Sequence, residues 1–80
     1  MVDLFLQEIT AEKVIYKYVP EGKEDEYGYG LISVNKTTGE LELVKRDSQW
    51  WDAYFGHAGL TIRKFYKQGF YPEKYTVLWY

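Results

Sequence analysis

Residues 48–69, SQWWDAYFGHAGLTIRKFYKQG, decide the fold, because here the apolar period changes from two to 3.6. Trp51, Tyr54, Phe55, Ala58, Ile62, Phe65 and Tyr66 recur at helical spacing. At 100° per residue they fall within an arc of about 120°, a stripe that must face a core. Arg63, Lys64 and Lys67 lie opposite. Asp47 or Ser48 suits the N-cap and Gly69 the position just past the end. Gly56 and Gly59 oppose the helix, each costing about 1 kcal/mol relative to alanine. They either divide it into two short helices or let the backbone approach a sheet closely. One helix is the first expectation and a break at Gly56–Gly59 the alternative.

On the N-terminal side, YGYGLISVNKTTGELELVK predicts a β-hairpin with strands at 28–35 and 40–45. Asn35 at the turn entry and Gly39 near its exit fit a type I turn followed by a glycine at positive φ. Before it, residues 2–9 alternate loosely, and residues 12–19, EKVIYKYV, are β-branched and aromatic. Pro20 cannot donate to a ladder and should end that strand. PEGKEDEYG then reads as a polar, mobile connection. Beyond the helix, Pro72 precedes KYTVLWY, whose two sides are both largely apolar. That pattern predicts a strand inside the sheet, not at its edge. The whole, residues 1–80, is one α+β domain: an antiparallel sheet of three to five strands with one long helix on one face.

Composition sets the limits. A chain of 80 residues with no cysteine has no disulfide or thiolate metal site to support it, so apolar packing must hold the fold. Sixteen aromatics supply that packing. The start, MVDLFLQEIT, lacks a basic region and does not read as a signal peptide. No apolar run approaches the roughly 20 residues of a membrane span. A cytoplasmic location is expected, with no membrane partner. The net charge of −2 gives no global attraction to nucleic acid, although residues 1–40 carry a net −4 and residues 41–80 a net +2.

Chemistry-bearing patterns are sparse. A hydrolytic triad would need Ser33 or Ser48 beside His57 and an acid such as Asp52, and their spacing matches no nucleophile motif. The acidic run EGKEDE lacks a Ca²⁺-loop pattern, and GYG at 28–30 is too short to cradle phosphate. No residue is assigned to catalysis, to a cofactor or to a metal. An enzymatic or small-ligand site, needing roughly 300 Å³, is expected only in a groove between two copies.

Two surfaces can meet a partner. Trp50 and His57 share a flank of the helix off the apolar stripe, with Thr61, Lys64 and Gln68. The sheet face left uncovered by a single helix is expected to carry Tyr16, Tyr18, Tyr29 and either Tyr75 or Tyr80. Tyrosine suits a surface that is sometimes wet and sometimes covered.

The pattern VIYKYVPEG…YG, then AYFGHA…IRKFYKQGFYPEK…LWY, resembles small uncharacterised bacterial proteins of the Firmicutes type, a domain of unknown function. The resemblance spans about Ile9 to Tyr80 and implies a stand-alone cytoplasmic domain, with no residue assigned a role. The first expectation is a non-enzymatic interaction or regulatory domain that binds a protein partner or a second copy of itself. The alternative is a weak single-stranded nucleic-acid binder using the basic helix flank, with Lys45, Arg46, Arg63, Lys64, Lys67 and Lys74 nearby.

Overall fold

Alternation along residues 2–20 determines which side of the sheet is covered. The computed structural model describes residues 1–48 and 53–79. In β1 (Val2–Ile9) and β2 (Lys13–Pro20), the buried residues Val2, Leu4, Val14, Tyr16 and Tyr18 share one face, while Phe5 and Lys17 point the other way. One extra residue, Gln7, bulges between Leu6 and Glu8. A one-turn helix, α1 (Glu24–Tyr27), replaces the mobile connection expected there. It lies against β2, and Glu24 pairs with Lys17 at 2.6 Å.

The hairpin of β3 (Gly30–Asn35) and β4 (Leu41–Lys45) turns as expected. The Asn35 side chain accepts the Thr37 and Thr38 N–H groups, and Gly39 takes φ 77° while donating to the Asn35 carbonyl at 2.8 Å. Five strands form a single antiparallel sheet in the order β4-β3-β2-β1-β5, with β5 spanning Lys74–Val77. The C-terminal strand is therefore an edge and not a central strand as its composition suggested. The first four strands pair in chain order, so only an outer position beside β1 or β4 remains for the fifth.

One unbroken helix, α2 (Ala53–Gln68), rests on β1, β2, β3 and β5. Its ridge of Tyr54, Ala58, Ile62 and Phe65 is buried against the sheet, as the stripe required, with Phe55 and Tyr66 half-buried beside it. The expected core member Trp51 lies outside the described residues. The Ser48 hydroxyl donates to the Tyr27 carbonyl at 2.5 Å, and the first-turn positions it was expected to cap lie outside the described residues. At the far end Gly69 takes φ 76°, donating to Phe65 and Tyr66 carbonyls, while the Phe70 N–H reaches back to Phe65. This is a Schellman closure. The hydroxyl of Tyr66 donates to Thr37, tying the hairpin tip to the last turns of α2.

One close approach fixes the register of β2 against β3. Tyr18 pairs with Gly30 across β2 and β3, and its ring occupies the space of the missing side chain. A Cβ on Gly30 would stand 2.0 Å from Tyr18 Cε1. Gly30→Ala is expected to destabilise the domain by about 1–3 kcal/mol, the usual range for overpacking. Chemical denaturation measures this; an unchanged midpoint would show that the ring does not lie there.

Candidate functional site

Of the five residues singled out in the sequence, the four that are described do not form one patch. Tyr16 and Tyr18, expected on the open face, lie beneath α2 and are fully buried. Lys13 and Lys17 alternate with them and take the water side, which sends both tyrosines inward. Each hydroxyl has a partner: Tyr16 donates to the Pro72 carbonyl at 2.6 Å, and Tyr18 accepts the Asp47 N–H at 3.3 Å. Tyr75 also lies on the helix side, with its ring edge-on to Phe65. Tyr29 is half-buried, with the Lys17 and Lys45 ammonium groups 4.7 and 3.8 Å from its ring centre. His57 stacks flat on Trp79, the rings 3.9 Å apart and 8° from parallel. Trp50 and Tyr80 lie outside the described residues.

The uncovered sheet face is less apolar than expected. Phe5, Ile15 and Leu31 are each half-buried, and lysines close over the aromatics, with Lys74 5.6 Å from the Phe5 ring centre. Long lysine stems cover apolar surface while their charges stay in water. This face carries its own cover.

At the start of α2 a second cluster forms around Tyr54. Its ring meets Tyr27 and Trp79, and its hydroxyl donates to Glu21 Oε2 at 3.0 Å. The Met1 ammonium, 3.1 Å from the same oxygen, and the Tyr54 hydroxyl together hold the Glu21 carboxylate below its usual range. Burial, and then Glu21, push Tyr54 up to about 12. Burial also raises Tyr16 to about 12, and Tyr18 further still. These contacts tie the N-terminus, α1 and the segment after β5 to the helix; they bring no nucleophile and base together. Ser33 lies on the opposite face of the sheet from α2, and Ser48 is bonded to Tyr27. Among the described residues no three metal-ligating side chains converge.

What the sequence did not reveal is a groove of about 500 Å³ between α2 and β4, lined by Leu41, Phe55, Gly56, Gly59, Leu60 and Arg63. It belongs to a single chain, whereas a pocket of this size was expected only between two copies. α2 rests on the other four strands, leaving β4 beside its flank. A Cβ on Gly59 would stand 3.1 Å from Leu41 Cδ1, so a small residue there lets helix and strand approach. Leu60, 65% exposed, forms the outer rim with Arg63. The signal was present as a second stripe, Gly56, Gly59, Leu60 and Arg63, at i, i+3, i+4 and i+7.

The cations of the second half divide between surfaces. Lys45 and Lys74 sit on the open face, whereas Arg63, Lys64 and Lys67 are exposed on α2. Among the described residues, no helix is long and apolar enough to cross a membrane. Comparison with protein-family models, curated proteins and solved structures returned no match.

The buried phenols make the fold sensitive to alkali. Their folded pKa values lie above the unfolded value of about 10. The stability they carry is complete below that pH and is lost as pH rises toward about 12. Each costs about 1.4 kcal/mol per pH unit over that interval. Ultraviolet titration should show Tyr16, Tyr18 and Tyr54 ionising only as the chain unfolds, and Tyr16→Phe should make that unfolding less steep. Ionisation of all nine tyrosines in one step with the fold intact would contradict the burial.

Proposed function

We propose that this protein is a non-enzymatic interaction domain that binds a protein partner through the groove between α2 and β4. The observation that carries the proposal is the gathering of Leu41, Phe55 and the exposed Leu60 along one concave strip. Isolated exposed apolar residues are ordinary on a protein surface; a concave strip of them is a recognition surface. Support also comes from the sheet's open face, where lysine stems already shield Phe5 and Tyr29. The division of Lys45 and Lys74 from Arg63, Lys64 and Lys67 removes the single basic track that a nucleic-acid strand would follow.

Selection of binding peptides from a random library against the full chain, followed by amide chemical-shift mapping, tests the proposal. Shifts should centre on Leu41, Gly56, Gly59 and Leu60. Leu60→Glu should weaken binding at least about tenfold, and its thermal midpoint should stay within a few degrees because the side chain is mainly in water. Ligands that map to Phe5, Ile15 and Tyr29, or that ignore Leu60→Glu, would refute it. So would tight, steeply salt-dependent binding of oligonucleotides at α2.

A further inference from the structure

We infer that the occupant of the groove is an extended peptide segment of a partner protein, added to β4 as a sixth strand with an acidic side chain on its groove side. The inference rests on the groove being the interaction surface and specifies how it is filled.

The main chain of β4 supplies the first argument. β4 ends the sheet, and no described residue pairs with its outer edge. The Asn35 N–H donates to the Glu40 carbonyl at 2.9 Å, which sets the alternation of the antiparallel ladder. Two residues on, Glu42 faces Ser33 and exchanges bonds with it. Leu41 and Leu43, opposite Val34 and Ile32, therefore turn their N–H and C=O groups outward. An extended segment laid along this edge satisfies those groups and sets every second side chain over the groove. A helix would leave them unpaired. Strand addition of this kind takes affinity from the main chain and selectivity from pockets for alternate side chains. Beyond Leu43, the bulge at Val44 bends the edge away, so the docking stretch is Leu41–Leu43.

Gly56 supplies the second. Glycine inside a helix is unfavourable, and this chain's own packing gives no reason for it: among the described residues nothing lies within 4 Å of a Cβ placed there. Gly59 is explained by Leu41, but no described residue explains Gly56. Its bare backbone lines the groove, where an incoming side chain can lie directly against the helix.

Charge selects the partner. Of the α2 cations Arg63 stands at the rim, whereas Lys64 lies toward β5, and Glu40 and Glu42 of the β4 segment face the open side of the sheet. An acidic side chain on the added strand is complementary to Arg63. A second copy is not: an isologous β4–β4 pairing turns the Arg63 rim of each α2 toward its counterpart. The β5 edge is the weaker competitor, being four residues long and beginning with an exposed lysine.

The test uses library-selected peptides on the full chain, with amide hydrogen exchange and backbone N-methylated versions of the best peptide. The bound peptide should protect the Leu41 and Leu43 amides. N-methylation should cost at least about tenfold at residues of one parity and little at the other. Arg63→Gln should weaken acidic peptides and flatten their salt dependence. Gly56→Ala should raise the thermal midpoint of the free protein by about 4–8 °C and yet weaken peptide binding about tenfold. Peptides that bind the groove without protecting β4 and without a parity effect would overturn strand addition while leaving the interaction domain intact. Protection of Leu41 and Leu43 by self-association, without peptide, would replace the partner with a second copy. Ligands that never reach the groove would remove both proposals.

Discussion

The ridge of α2 has only one place to go. Tyr54, Ala58, Ile62 and Phe65 must leave water, and the sheet offers them the face built by Val2, Leu4, Val14, Tyr16, Tyr18, Ile32 and Val34. A single helix cannot cover a five-stranded sheet from edge to edge. The seam it chooses, across β1, β2, β3 and β5, leaves β4 beside the helix and not beneath it. The groove is the geometric consequence of one helix on five strands. Other features adjust to that contact: Gly39 and Gly59 let Tyr66 and Leu41 in, and Gly30 makes room for the ring of Tyr18.

Large aromatics in so small a domain bring polar hydroxyls into the interior, and each needs a partner. Tyr16 reaches the carbonyl of Pro72, Tyr18 the amide of Asp47, Tyr54 the carboxylate of Glu21. These bonds run from the core to segments far away in the chain, so the tyrosines both fill the interior and hold its borders. No buried side-chain polar atom lacks a partner among the described residues. The same chemistry that suggested a wet tyrosine surface builds a dry one with anchored hydroxyls.

Much of the fold was legible because local chemistry agreed with the global answer. The 3.6 period from Tyr54 to Tyr66, the Asn35…Gly39 turn and Gly69 each named an element, and the helix ran through Gly56 and Gly59 unbroken. The tyrosine faces were misjudged although the signal was there: Lys13 and Lys17 share one parity of β2, so Tyr16 and Tyr18 had to take the other. The edge position of β5 was not legible, since alternation reports burial of faces and says nothing of which edge a strand occupies. The α2–β4 groove was half legible. Its helix stripe could be written down, but its other wall depends on where one helix stops covering a sheet, a property of the packed molecule.

The contact between Tyr16 and Phe65, with ring centres 5.7 Å apart, lies at the centre of this arrangement. Nuclear Overhauser spectroscopy of the free protein, combined with a soluble paramagnetic probe, tests it most directly. The account predicts cross-peaks between the Tyr16 and Phe65 rings, and Tyr16 signals that the probe leaves sharp. A Tyr16 ring broadened by the probe, with no cross-peak to α2, would place the helix on the other side of the sheet and contradict it.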